Sequence, residues 1–207
     1  MEKNKFYGLI LGVQPRIRLI RSFDQANHNY LGYNIFLHGT VDNEERDFCV
    51  AVGKGAQEKN RFSAGQTIIG QCLPVINREI EVAEFYKASS LKKIKDDRLK
   101  MEPPPYIELP LKLEEYRARG HRRLSSKSYS TKCRYCHWAC QMPTEIQVDQ
   151  WNPQSMKYRF ETFCYGPKSC TLYNSGPTRK VPGRNGMIWE EENWVDEQNT
   201  AHRRPDE

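Results

Sequence analysis

Phe6-Tyr7-Gly8-Leu9-Ile10-Leu11-Gly12-Val13, continued after Gln14-Pro15 by Arg16-Ile17-Arg18-Leu19-Ile20-Arg21, is the stretch on which the fold turns. Its apolar run falls far short of the roughly 18 residues that a membrane helix needs. Lys3 and Lys5 precede it as they would in a signal peptide, but Gln14-Pro15-Arg16 stands where small cleavage-site residues belong. The run therefore reads as a first β-strand. Arg16 to Arg21 alternates apolar and basic, the pattern of a half-exposed strand.

Working outward, Asp24 to Asn29 supplies a polar turn, and Tyr30 to Gly39 reads as a strand. Asp42-Asn43-Glu44-Glu45 connects it, as a hairpin, to Phe48-Cys49-Val50-Ala51-Val52-Gly53. Thr67 to Val75 follows after Phe62-Ser63-Ala64-Gly65-Gln66. Short strands punctuated by glycine point to a small barrel rather than a helical or βαβ layout. Phe62-x-x-Gly65-x-x-Ile68-x-Gly70 resembles the lead-in to a middle strand of OB-fold barrels, where a turn glycine precedes the strand. The resemblance covers residues 6–86 and implies an OB-like β-barrel.

Glu102-Pro103-Pro104-Pro105 ends regular structure, because each proline removes a donor and restricts the residue before it. Pro110 to Arg119 reads as a short helix stopped by Gly120, with Leu109, Leu113 and Tyr116 on one face. The expected organisation is mainly β with few short helices. It consists of a barrel over 1–100, a proline-containing linker and helix over 101–120, a zinc-ribbon-like domain over 121–189 and an acidic tail over 190–207.

Five of the seven cysteines lie between Cys133 and Cys170. The odd count without a secretion signal argues against a disulfide framework and for metal ligands or buried thiols in a reducing compartment. Cys133-Arg134-Tyr135-Cys136 lets two sulfurs reach one ion from a tight loop. Cys164 and Cys170 follow after two strands, Glu145 to Asp149 and Lys157 to Phe163, joined by a turn at Trp151 to Ser155. One ligand pair per loop with a hairpin between resembles a zinc ribbon, with Zn2+ on Cys133, Cys136, Cys164 and Cys170. Metal binding would then supply folding free energy to a hairpin too small to bury its own core. The Cys164-x5-Cys170 spacing is wider than a ribbon's usual second pair. Cys140 is an alternative to Cys136 or Cys170, His137 a further substitute, and iron an alternative to zinc. Cys49 and Cys72, inside apolar runs, read as core residues.

Net charge is +6, but it is unevenly spread. Residues 1–86 balance to zero, 87–134 carry +8, 135–189 carry +3 and 190–207 carry −5. Arg117, Arg119, Arg122, Arg123, Lys127, Lys132 and Arg134 follow one another with no acidic residue between, and Lys168 extends the series. Guanidinium and ammonium groups pair with phosphate oxygens without reading sequence, so single-stranded or structured DNA or RNA is the expected partner. Tyr135, Trp138, Trp151 and Tyr165 are candidates for stacking on bases. Arg16, Arg18 and Arg21 with Tyr30 and Tyr33 read first as an ordinary polar strand face. The tail reads first as solvated, with folding back on the basic stretch or holding a partner as the alternative, and Trp189 and Trp194 suggest a docking strip within it.

Motifs for catalysis are absent: there is no GxSxG, GxxxxGK[ST], HExxH or dinucleotide loop. His28, His38, His121, His137 and His202 are scattered and read as surface or capping residues. The expectation is a cytoplasmic, non-enzymatic, zinc-containing nucleic-acid-binding protein with no membrane association. The alternative is a protein-interaction subunit docking on a larger enzyme.

Overall fold

A computed structural model of the chain describes residues 3–96, 109–152 and 154–204. The chain is mainly β. β1 (Asn4–Ser22), β2 (Gln25–Val41), β3 (Glu44–Val52), α1 (Lys54–Asn60), β4 (Gln66–Pro74) and β5 (Phe85–Asp96) make the N-terminal half. The C-terminal half holds α2 (Leu113–Arg119), β6 (Arg122–Arg123), α3 (Ser126–Ser128) and the hairpin β7 (Ala139–Gln147) and β8 (Met156–Cys164). It ends with the pair β9 (Arg179–Pro182) and β10 (Ile188–Glu191) and with α4 (Asn193–Thr200). Among the described residues, no helix is long and apolar enough to cross a membrane.

The strand pairings close on themselves. β1 pairs with β2 along nearly its whole length, β2 with β3, and β3 with β5 in parallel at Val50 and Phe85. β5 pairs with β4, and β4 returns to β1 over Asn4–Leu9. From the far end of β1, Leu19–Arg21 pairs in parallel with Thr144–Ile146 of β7, and the sheet continues through β8 to β6. β1 is thus shared by the ring and its extension.

Local chemistry explains these elements. The β2–β3 hairpin turns on Asp42 and Asn43, both at positive φ (54° and 62°), the conformation that a two-residue turn matched to strand twist demands. Where the sequence suggests two strands around Gln14-Pro15, β1 is continuous. Pro15 pairs with Tyr33 in the gap between the β4 and β7 ladders, so its missing N–H breaks neither. The register slips once between Ile10 and Gly12 and once between Arg16 and Ile17, bending the strand so that its two halves serve different neighbours.

One hydrophobic cluster runs through both halves. Ile10, Ile17, Leu19, Ile35, Leu37 and Ile68 of the ring pack with Tyr116, Cys140, Met142 and Phe163. The expected boundary near Pro103–Pro105 lies outside the described residues, as does the lysine-rich stretch beyond Asp96. Packing continues across that boundary, because β7 and α2 cover the same core that β1 and β2 begin. The expected helix forms over Leu113–Arg119, with Leu113 and Tyr116 buried.

The segment read as an acidic, solvated tail is a correction. Residues 193–200 form α4, and buried Asp196 takes the Arg123 backbone N–H at 2.9 Å and its guanidinium Nε at 3.0 Å. Glu191 is equally buried and pairs with Arg21. These acidic residues balance buried arginines instead of facing solvent.

Candidate metal centre and basic cleft

The segment Tyr129–Cys133 is a π-type turn, and the chain then tightens: the Cys136 N–H donates to the Cys133 carbonyl at 3.0 Å. The Ala139 N–H donates to the Cys136 carbonyl at 3.0 Å. Across the sheet, Cys164 ends β8 opposite Ala139, and its sulfur accepts the Gly166 N–H at 3.3 Å. Pro167 then turns the chain, accepting the Cys170 N–H at 3.2 Å. The two loops meet in one buried cluster that holds Cys133, Cys136 and Cys164. An N–H···S bond such as that at Cys164 favours the charged sulfur.

The four thiols feel one another. Burial first, then the neighbouring Cys164 and Cys170, pushes Cys133 up to about 11. Burial dominates at Cys136 and Cys164 as well, with Cys133 and Cys164 adding at the former and Cys170 at the latter. As free thiols Cys133, Cys136 and Cys164 hold their protons at neutral pH, and a metal would have to displace them. Among the described residues, no three His, Cys, Asp or Glu side chains already form a ligand sphere.

The surroundings nevertheless suit a negatively charged cluster. Arg122 donates to the Pro167 carbonyl at 2.9 Å, and Arg203 to those of Tyr165 and Gly166 at 3.0 Å each. Both guanidiniums act electrostatically on Cys164. Arg122 Nε and Arg203 Nε and Nη2 are buried with no acceptor. Dry, unpartnered N–H groups beside neutral thiols are costly, whereas beside metal-bound thiolates they are satisfied. The donor set and its counter-charges thus fit a thiolate-bound zinc.

Cys140 is not part of this group. Its sulfur meets the Pro15 carbonyl at 3.2 Å inside the main core. The His137 ring packs against Trp138. Cys49 and Cys72 lie in hydrophobic clusters, as expected.

The Cys133–Cys136 loop is fastened to β1 by residues with no motif to announce them. Gly12 faces the loop so closely that a Cβ there would strike the Tyr135 backbone. Buried Gln14 presents its amide nitrogen to the carbonyls of Cys133, Arg134 and Cys136 at 3.0–3.2 Å. Its oxygen accepts the Tyr129 hydroxyl at 3.0 Å.

That docking creates a cleft of about 320 Å³ on the outer face of β2 and β3. Phe36, Asp47 and Glu84 line it on one side, and Ser130, Arg134 and Tyr135 on the other, with Arg78 at its edge. Tyr135 rests edge-on against Phe36 and donates its hydroxyl to Asp47 at 3.1 Å. Glu84 is engaged by Arg46 at 2.7 Å. Arg78 and Arg134 are exposed and carry no carboxylate partner among the described residues. Arg78 escaped the sequence reading because it lies far from the basic run.

The remaining basic candidates divide. Lys127 and Lys132 are exposed on the turn leading to Cys133, and Arg117 is exposed over the Tyr30 ring. Arg119 lies over Trp138 and donates to the Tyr165 carbonyl, Arg122 lies over Tyr173, and Lys168 donates to the Arg203 carbonyl. Arg123 is 0% exposed, bound to Asp196, Asn193 and the carbonyls of Pro177 and Glu191. It cannot reach a phosphate, which corrects its assignment. Arg16 pairs with Glu81 and Arg18 with Glu145, the ordinary reading of that strand face. Of the aromatic candidates, Tyr135 and Trp138 are half-buried, Trp151 is 74% exposed and Tyr165 is wholly buried.

No family model matches the chain, and no curated protein or solved structure matches it.

Proposed function

We propose that the protein binds single-stranded nucleic acid along the cleft between the β2–β3 face and the Cys133–Cys136 loop. The five-stranded ring is read as an OB-type barrel: its pairing order β1-β2-β3-β5-β4-β1, with β3 and β5 parallel, matches the resemblance of Phe62 to Gly70. The β7–β8 hairpin with its two cysteine loops is read as a zinc ribbon, with Cys133, Cys136, Cys164 and Cys170 holding the ion. Zinc here supplies structure, fixing the loop that carries Arg134 and Tyr135.

The observation that carries the reading is the pair of unpartnered guanidiniums, Arg78 and Arg134, facing one cleft beside an aromatic ring. Phosphate oxygens suit the cations and base faces suit Tyr135. Lys127 and Lys132 would extend the positive surface. Fluorescence anisotropy with oligothymidylate and oligouridylate tests it. Affinity should fall steeply as salt rises, and Arg134→Glu or Arg78→Glu should weaken binding about tenfold and flatten the salt dependence. Salt-insensitive binding, or none, contradicts the proposal.

A second reading rests on a different surface. Ile20, Glu145 and Tyr158 stand in register across β1, β7 and β8, and Phe160 follows Tyr158 on the same face. Ile20, Tyr158 and Phe160 are exposed, which suits docking on a protein partner. A stoichiometric protein retained after nuclease treatment and lost with Phe160→Asp would favour it.

A further inference from the structure

A second pocket, of about 690 Å³, lies where the β1–β2 hairpin meets the α2–β6 turn and α4. Its volume is in the range of small-molecule sites. Arg21, His28, Tyr30, Arg117, His121 and Glu191 line it. Gly120, at φ 70°, lets the α2–β6 turn lie directly against Asn199, which closes the wall.

Arginines and carboxylates interlock behind this wall. Arg21 meets Glu161 at 2.8 Å and Glu191 at 2.5 Å, and Glu161 also takes Arg159 at 2.6 Å and Arg179 at 3.2 Å. Arg159 is a third exposed, so the buried groups balance, Arg21 and Arg179 against Glu161 and Glu191, as do the adjoining Arg123 and Asp196.

Unused donors stand beside this network. Arg21 Nε and His28 Nε2 are buried with no hydrogen-bond partner among the described residues. At the rim, Arg117 lies 4.8 Å over the Tyr30 ring, exposed and without a carboxylate partner among the described residues. The His28 and His121 rings stand 4.7 Å apart, tilted at 54°, and both line the pocket. Glu191 is the one lining carboxylate among the described residues, and Arg21 occupies it.

We propose that this pocket binds the phosphoryl group of a nucleotide-sized ligand, with Arg21, His28 and Arg117 as its donors. Charge-assisted bonds from two guanidiniums suit a dianionic phosphate, and the rings of Tyr30, His28 and His121 suit the planar remainder. The electrostatics agree. Burial and then the Arg21 charge lower His28 to about 4, and burial lowers Arg179 to about 10 despite its carboxylates. The phosphoryl group belongs either to a free nucleotide or to the 5′ end of a strand. The pocket is separate from the cleft and stands without it.

Calorimetric titration of the full chain with adenosine 5′-monophosphate, against adenosine, tests the proposal. The monophosphate should bind saturably and adenosine at least about tenfold more weakly. Arg117→Glu, on an exposed side chain, should remove the difference, as should His28→Gln, while Arg134→Glu in the cleft leaves it unchanged. A 5′-phosphorylated oligothymidylate binding more tightly than its 5′-hydroxyl counterpart, with the gain lost in Arg117→Glu, identifies a strand end; no gain identifies a free nucleotide. The proposal is overturned if the monophosphate binds no better than adenosine, or if Arg117→Glu leaves its binding intact.

Discussion

Gln14 shows how much one side chain carries. Its amide satisfies carbonyls of Cys133, Arg134 and Cys136 while its oxygen holds Tyr129, so the whole cysteine loop is registered on β1 through it. Gln14→Ala leaves buried carbonyls and a buried hydroxyl unpaired and should cost about 2 kcal/mol in urea unfolding. A loss under about 0.5 kcal/mol would show that the loop is held by other contacts. His28 and His121 make a pH-dependent contribution. Both are lowered, chiefly by burial, with Arg21 adding at each, and His28 falls to about 4. The unfolded imidazoles bind protons below about pH 6.5 while the folded ones do not, so unfolding takes up protons in that window. Stability should therefore be full above about pH 6.5 and decline as pH falls toward 4, with a shallower decline in His28→Gln. A flat profile would contradict the buried, neutral state of the pair.

Among the elements, α4 and the cysteine loops most reward comparison with the sequence. The hairpin at Asp42-Asn43 and the β7–β8 hairpin are legible, because turn chemistry and strand patterning are local. α4 is not. Glu190 to Glu197 looks like a solvated run until Arg123, seventy-odd positions earlier in the chain, is found beneath Asp196. Arg123 itself reads as one more cation in a basic stretch, since no sequence signal distinguishes a buried guanidinium from an exposed one. Gly12 and Arg78 were equally silent, their roles being set by a loop over a hundred residues away for Gly12 and by the β2–β3 face for Arg78. His28 and His121 look unrelated until the β1–β2 hairpin and the α2–β6 turn bring them together. Asp196→Ala strips the Arg123 guanidinium and backbone of a buried partner and should lower stability by about 3–5 kcal/mol. Thermal or urea unfolding measures it, and a near-neutral result would show that α4 does not clamp β6.

The whole molecule is built around β1, which closes the ring with one half and starts the β7–β8 extension with the other. The shared core, from Ile10 and Leu19 to Tyr116 and Phe163, makes the two halves interdependent. Unfolding of the metal-loaded chain should then be a single transition. The four tryptophans, Trp138, Trp151, Trp189 and Trp194, all report on the C-terminal half, while far-ultraviolet circular dichroism reports on the sheet as a whole. The two signals should coincide, and separated midpoints would make the halves independent units. The proposed cleft rests on four sulfurs converging on one ion, and metal analysis of the purified chain tests that proposal most directly. The account predicts one zinc ion per chain, lost in Cys133→Ser and in Cys164→Ser and retained in Cys140→Ser. A metal-free folded chain, or zinc that survives loss of Cys164, would contradict it.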